Sequence, residues 1–538
     1  MTSEGSERKS DSSHVQVRDW LDELSGSGGA RVQMDSAGAC TGQIEMLLIE
    51  GNQAAAEGDR DKAASMYRQV LALDPRHVQA WNNLGVMFAD SGAPERAIDH
   101  YRSALHYQGD FIDALYNLGN AYRELKRYDE ALDCYDAVLS RRSTFAPAYT
   151  NRAVCRMNMG SSDAAIEDFH RALHLHSDSA EAWTGLGLAL SHLARYGEAN
   201  QATNRALALA PAMPEPHYNL ALLELLHGHY EIGWQEYEWR FRLPGHSYPV
   251  TGHPAWNGES PAGRRFLLVA EQGLGDAIQF VRFAKLLEGQ GADITLLCAE
   301  SHRWLLSAVP GVHRCLARES ADESSETSGI DFCLPLMSLG RFFAPDAENI
   351  PGSVPYIPID AGEVMRRRAW MADRFGTDRL RIGIAWRGSP GYRWDCHRSI
   401  PLKHFEGLAL IPGVQLFSFQ KGPGCEELLH CGFPIEDLGS QLDNDGRSMM
   451  ESAAAAQTMD LLISADTSLG HLGGALGVPT WIVLPLSPDW RWRCGGDRSA
   501  WYPSVRLFRQ PRWQDWSGVF REVEAAIREF FPKKRVEP

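Results

Sequence analysis

The chain repeats itself every 34 residues. Gly51, Gly85, Gly119, Ala153, Gly187 and Ala221 are successive positions of that period, and twelve residues after each stands Ala63, Ala97, Ala131, Ala165, Ala199 or Gly233. Four residues further come Tyr67, Tyr101, Tyr135, Phe169, Thr203 and Tyr237. A fixed period of this length constrains the fold more than any composition does. A unit so short cannot bury its own apolar face, so it must stack on its neighbours.

The stretches WNNLGVMFADSGAPERAIDHYRSAL and LYNLGNAYRELKRYDEALDCYDAVL show the pattern best, and they resemble the tetratricopeptide repeat. The resemblance implies an α-solenoid over 44–243, closed by GHYEIGWQEYEWRF, with two helices per unit brought together at the small residues. Residues 1–43, rich in Ser, Gly and charge, are expected to be a disordered tail. Two residues before the small position stand Asn83, Asn117, Asn151 and Asn219 in one phase, interrupted by Ile49 and Gly185. On the first helix of a tetratricopeptide unit this position faces the concave surface. An amide carries both donor and acceptor, which suits an extended peptide backbone of any sequence. The O-GlcNAc transferases use a similar asparagine ladder, so the resemblance implies a protein acceptor or partner in the groove. The alternative is that these amides only bond neighbouring helices.

Charge narrows the classes of partner. A formal net charge of -16 argues against wholesale binding of nucleic acid or anionic membrane, so an anionic ligand needs a local basic cluster. No apolar run reaches the roughly 18 residues of a membrane span, and the start lacks the apolar core of a signal peptide. The 10 cysteines, Cys155, Cys298, Cys333 and Cys494 among them, show no CxxC pairing and are read as reduced thiols of a cytoplasmic protein.

Beyond residue 256 the period gives way to short apolar strands alternating with helices, which predicts two parallel doubly wound sheets, at 256–360 and 379–530. RFLLVAEQGLGDAIQF opens the first, with a glycine turn at Gly273 and Gly275. RIGIAWRG, VQLFSFQ, DLLISAD and TWIVLP mark strands of the second. In such sheets ligands lie beyond the carboxyl ends of the strands, where helix N-termini point. DLLISADTSLGH delivers the chain to that edge, and a helix starting near Ser468 aims free N–H groups at an anion, a phosphate above all. Thr467 and Ser468 add hydroxyls, His471 sits one turn in, and Asp466 suits a cap or a sugar hydroxyl.

DTSLGHLGGALGVPTW resembles the signature of the ADP-heptose heptosyltransferase group of GT-B glycosyltransferases, and EQGLGDAIQF resembles that group's N-terminal glycine loop. Repeats followed by two Rossmann-like halves are similar in layout to the O-GlcNAc transferases, and the combination resembles bacterial TPR-glycosyltransferases. What this implies is an inverting hexosyl- or heptosyltransferase that takes a nucleotide-sugar donor in its C-terminal half, with no metal and no further cofactor. Asp276 is then the base that deprotonates the acceptor, with an N-cap as its alternative role. Arg398 stands where the family has a phosphate-contacting lysine, and Arg387, Gln420 and Lys421 follow strand ends at the same edge. Glu426 lies near a family acidic residue that contacts the donor. The tryptophan-rich stretch 490–516 is expected to pack a final helix against the first half, with Asp489 and Trp490 at the pocket. The competing reading is a non-catalytic adaptor whose paired sheets serve as a scaffold.

Overall fold

A computed structural model describes residues 37–246, 248, 252–319, 327–346, 348, 350, 353–389, 391, 394–444 and 449–534. The expected tail lies outside the described residues as far as residue 36, and Ala37–Ala56 is a helix, which extends the first helix of the first repeat ahead of position 44. The chain divides into two compact units, 1–177 and 178–538.

In the first unit the period becomes four helix pairs: Ala37–Ala56 with Arg60–Leu73, Val78–Asp90 with Pro94–Tyr107, Ile112–Glu124 with Tyr128–Arg141, and Ala146–Asn158 with Ser162–Leu175. The repeated glycine is where the two helices of a pair touch. A Cβ at Gly51 would lie 2.8 Å from the Tyr67 ring, and one at Gly119 would lie 2.8 Å from the Tyr135 ring. Gly85 meets Tyr101 in the same way. A methyl group there would push the ring out of the core, which is why small residue and aromatic recur together.

The asparagines of this unit bond one another or their neighbours. Asn83 Nδ2 donates to Asn52 Oδ1 at 3.0 Å and Asn117 Nδ2 to Asn82 Oδ1 at 3.0 Å. Asn151 Nδ2 donates to Tyr116 Oη at 2.9 Å and Asn120 Oδ1 at 2.8 Å. In the second unit, Asn219 Nδ2 reaches the Thr184 carbonyl at 3.3 Å. Each amide thus spends donor capacity on the preceding repeat, the structural alternative of the peptide reading.

One residue makes the first unit sensitive to acid. The His100 ring stacks on Phe88 at 4.8 Å and beside Trp81 at 5.7 Å. Burial first, then Arg96 and Arg68, pull its pKa from 6.5 down to about 4. The unfolded chain therefore binds the proton more readily between these values. Stability from this group is complete above about pH 6.5 and is lost as pH falls toward about 4, by at most about 3 kcal/mol. Urea titrations at about pH 7 and about pH 4 should show this loss in wild type and much less of it in His100→Phe.

The second unit begins with two more helix pairs, Ala180–His192 with Tyr196–Leu209 and Pro214–His227 with Tyr230–Tyr237. It continues into two parallel sheets. The first contains β1 (Arg265–Val269), β2 (Asp293–Cys298), β3 (Arg314–Ala317) and β4 (Phe332–Pro335) in the order β3-β2-β1-β4. The second contains β5 (Leu380–Ala385), β6 (Val414–Ser418), β7 (Glu436–Asp437), β8 (Leu461–Ser464), β9 (Thr480–Leu484) and β10 (Val505–Arg509) in the order β10-β9-β8-β5-β6-β7. Counted from β5, that is the 3-2-1-4-5-6 arrangement of doubly wound nucleotide-binding sheets, and its switch point lies between β5 and β8. Strands of the second sheet are buried on both faces. Leu461, Ile463, Trp481 and Val483 face a core with Phe520, Val523 and Ile527 of the helix Trp516–Lys534, while Leu462, Ile482 and Leu484 face the opposite core. The final helix therefore packs on the second sheet, and the expectation that it lies against the first half is corrected.

The opposite core runs further than the domain reading at residue 243 allows. Ala221, Leu225, Tyr230, Trp234 and Tyr237 of the last helix pair belong to one cluster with Phe280 and Phe283 of the first half and Trp490 and Trp501 of the second. The Trp234 indole donates to the Ala344 carbonyl at 2.8 Å. These repeats are built into the α/β unit.

Candidate active site

Two helix N-termini meet in the second unit. After β8 the helix Ser468–Leu476 starts behind Thr467, an extended N-cap (φ -136, ψ 173) whose side chain caps nothing. The Thr467 hydroxyl turns back to Ser464 Oγ at 2.9 Å. Close packing seats this helix on its sheet: a Cβ at Gly473 would lie 2.7 Å from Leu462, and one at Gly474 would lie 2.5 Å from the Tyr502 ring. After β1 the glycine loop leads into the helix Leu274–Phe280. Here the left-handed residue is Gln272 (φ 62), fastened by its amide to Tyr237 Oη at 3.1 Å, while Gly273 is extended. Gly275 carries the close approach. A side chain there would come within 2.8 Å of His471 Cδ2, so the glycine lets one N-terminus lie on the other.

Asp276 caps its own helix, accepting from Gly273 N–H at 2.8 Å, and its other oxygen is ion-paired with Arg491. Arg491, buried, also donates to Gln279 Oε1 at 2.6 Å and Asp489 Oδ1 at 2.8 Å, so a single guanidinium ties the two α/β halves together. A second buried arginine does the same. Arg282 donates to the Trp501 carbonyl at 2.8 Å and to Tyr356 Oη at 3.0 Å. Neither Arg491 nor Arg282 stands out in the sequence reading. The signal they carry is an arginine held within an otherwise apolar aromatic run, as in DWRW.

Burial decides the ionisation of Asp466 and His471. Asp466 is pushed up to about 6, by desolvation first and then by the Asp489 carboxylate, against the pull of Arg398. His471 is held well below its ordinary value by burial and by Arg491, Arg282 and Arg398. Its Nδ1 faces Tyr502 Oη at 3.0 Å and its Nε2 lies 3.8 Å from Asp466 Oδ1. His471 is thus a neutral packing residue beneath Gly275, which corrects its expected role as an anion contact. A carboxyl whose pKa rises on folding costs stability once it must ionise. Asp466→Asn should therefore raise the melting temperature at about pH 8 and leave it unchanged at about pH 4. Equal shifts at both pH values would remove the charge argument.

The basic set divides. Arg398 Nη1 donates to the Asp466 carbonyl at 3.0 Å and Nε to Asp395 Oδ1 at 3.0 Å, so it belongs to the group beside the Ser468 terminus. A Cβ at Gly388 would strike its guanidinium. Gln420 is buried and turned to backbone: its Oε1 accepts from Trp386 and Arg387 N–H at 3.1 and 3.0 Å, and its amide donates to the Arg387 and Pro423 carbonyls. It shapes the loop after β5, in place of the donor contact expected of it. Lys421 is likewise diverted, to Asp443 Oδ2 at 2.6 Å and the Leu442 carbonyl at 2.9 Å. Asp443 in turn holds Ser452 Oγ at 2.6 Å and Glu451 N–H at 2.8 Å, which makes Lys421 part of a loop anchor. Arg387 is exposed and pairs with Glu426 at 3.3 Å, and Glu426 accepts from Gly424 N–H at 2.7 Å. Asp489 reaches the site through Arg491. Trp490 is instead core, 5.3 Å from Trp234.

Fold and site together define a tetratricopeptide array joined to a two-sheet parallel α/β unit in which arginines and carboxylates gather at two helix N-termini. Residues 50–111 and 152–231 match one tetratricopeptide repeat model and residues 112–145 a second. Over 357 residues the chain is 27% identical to Protein FlbA of Caulobacter vibrioides, covering 62% of this chain and 59% of FlbA. The chain thus spans less than two thirds of that relative's length. Among solved structures, MamA is 25% identical over 31% of this chain and 92% of its own, with a TM-score of 0.29. YrrB, described as a TPR protein with an unusual peptide-binding site, is 20% identical over 34% of this chain and 97% of its own, also with a TM-score of 0.29. No described helix is long and apolar enough to cross a membrane.

Proposed function

We propose that this chain is an inverting, metal-independent glycosyltransferase of GT-B type that moves a hexosyl or heptosyl group from a nucleotide sugar to a protein held by the repeats. The observation that carries this reading is the meeting of two helix N-termini at Gly275 and His471, each at the carboxyl edge of a parallel sheet. The uncapped terminus at Ser468, flanked by Arg398, suits the diphosphate that leaves as the sugar's anomeric C–O bond breaks. Asp276, on the facing terminus, suits the acceptor hydroxyl, whose proton it takes as the new C–O bond forms. Its side chain is 19% exposed, and each carboxylate oxygen keeps a lone pair beyond its bond to Gly273 or Arg491.

The second reading, an adaptor with a degenerate transferase unit, draws on the ion pair that occupies Asp276 and on the diversion of Lys421 to Asp443. Thermal melts with ADP-, GDP-, UDP- and CDP-sugars in excess EDTA separate the two. A donor at about 100 times its dissociation constant should add about 2.7 kcal/mol to the second unit. Binding by none of them, or only with magnesium, would count against the transferase.

A further inference from the structure

Away from these helix termini, the first sheet holds a close thiol pair. Cys298 ends β2 and Cys315 lies in β3, with sulfurs 3.7 Å apart. The register pairs Cys298 with Ala317 and Leu296 with Cys315, so both side chains project from one face of the sheet, two positions apart along it. Neither sulfur is in a disulfide. The sheet order makes β3 the edge strand, and it is only four residues long, so it can shift along β2 without breaking a second ladder. The environments differ. Cys298 is buried and Cys315 is partly exposed.

We propose that Cys298 and Cys315 form an oxidisable dithiol site, which a peroxide closes to a disulfide and a dithiol reductant reopens. In the first step the Cys315 thiolate attacks one peroxide oxygen. The O–O bond breaks, hydroxide leaves and takes up a proton as water, and Cys315 becomes a sulfenic acid. The Cys298 thiol then attacks that sulfur: the S–S bond forms, the S–O bond breaks, and a second water leaves with the Cys298 proton. Two thiols are oxidised and one peroxide is reduced. The order of roles follows from exposure, since peroxide reaches the partly exposed Cys315 before the buried Cys298. Their shared hydrogen bond and Arg303 favour the Cys315 thiolate, and the hydrogen bond and burial disfavour that of Cys298. Reaching a bond of about 2.0 Å requires the sulfurs to close by more than 1 Å, roughly, which the edge strand supplies. The movement has a path to the glycine loop, because Arg318 N–H donates to the Cys298 carbonyl at 2.8 Å and the Arg318 guanidinium to the Ala270 carbonyl at 2.9 Å.

The test treats the full chain with a small excess of hydrogen peroxide, then alkylates it under denaturation and maps the peptides. The expected result is the loss of two labelled thiols, with one cross-linked species joining the Cys298 and Cys315 peptides at a mass lower by two hydrogens, and recovery of both labels after dithiothreitol. In Cys298→Ser the cross-link should vanish and Cys315 should be captured by dimedone as the sulfenic acid. In Cys315→Ser, a change at the more exposed position, Cys298 should stay alkylatable. Full labelling of both thiols after peroxide overturns the proposal, particularly if the exposed Cys396 and Cys494 have reacted. Cross-links from Cys298 or Cys315 to other cysteines overturn it equally. Amide exchange across residues 270–276 should rise in the oxidised form, and an unchanged rate there refutes the link to the loop.

Discussion

Replacing Trp234 by alanine should destabilise the second unit by about 3–5 kcal/mol and leave the melting of the first unit where it was. The residue belongs by sequence to the closing repeat, but its surroundings are those of the α/β unit. Its ring lies 5.3 Å from Trp490, 5.9 Å from Phe280 and 5.7 Å from Tyr230, and Gly340 is small so that the indole can pass. Truncation opens a cavity where three segments of chain join, and it leaves the Ala344 carbonyl without its 2.8 Å donor. Trp234→Phe restores much of the volume but not the hydrogen bond, so it should cost less than half as much. Trp81→Ala is the matched control, since that indole is buried in the first unit and donates to the Pro75 carbonyl at 2.9 Å. Calorimetry should show the two variants moving different transitions. If Trp234→Ala shifts both transitions or neither, the last repeats are not fastened to the α/β unit in the way their shared core implies.

What could be read from the chain, and what could not, follows from the range of the interactions involved. The repeats were readable because Gly85 and Tyr101, or Gly119 and Tyr135, answer each other within one unit, and the period multiplies a local signal. The strands of the second sheet were readable because burial on both faces leaves near-continuous apolar runs, as at Leu461–Ser464 and Thr480–Leu484. The repeats end near residue 243, where their period places the border, but the core shared across it is not legible, because Tyr230, Trp234 and Tyr237 satisfy the repeat pattern and the α/β core together and a pattern cannot report a second contact partner. Long-range pairing explains the site residues in the same way. Lys421 and Arg398 are alike as cations after strand ends, but Asp443, 22 positions on, takes one of them, and the Asp466 carbonyl takes the other. Arg491 gives no local signal, because its partners Asp276 and Gln279 stand more than 200 positions earlier. The pattern points to His471 as an anion contact because a histidine one turn into such a helix can reach the ligand. The short Gly275 opposite it closes the space instead.

On the proposed transferase reading, Asp276→Asn should lower sugar transfer by about 10²–10⁴-fold while donor binding stays within about twofold of wild type. The substitution is chosen because it separates charge from architecture. Asparagine keeps an oxygen for Gly273 N–H, so the helix cap survives, while its amide N–H2 takes the place of the oxygen that Arg491 met, and Arg491 keeps Asp489 at 2.8 Å and Gln279 at 2.6 Å. Asp276→Ala would remove the cap and leave part of the buried guanidinium without a partner, confounding catalysis with stability. The donor diphosphate is expected at the Ser468 terminus beside Arg398, a site that the substituted side chain does not touch, so its affinity is the internal control. Single-turnover transfer measured with the donor selected by thermal melts, alongside hydrolysis of that donor, gives the decisive comparison. A base acting on the acceptor hydroxyl predicts lost transfer with the bound donor intact. If the variant keeps more than about a tenth of wild-type turnover, Asp276 is a cap and a counter-ion for Arg491 and the proton goes elsewhere. If donor affinity collapses in step with turnover, the Asp276–Arg491 pair is holding the two halves together, and the loss is one of geometry.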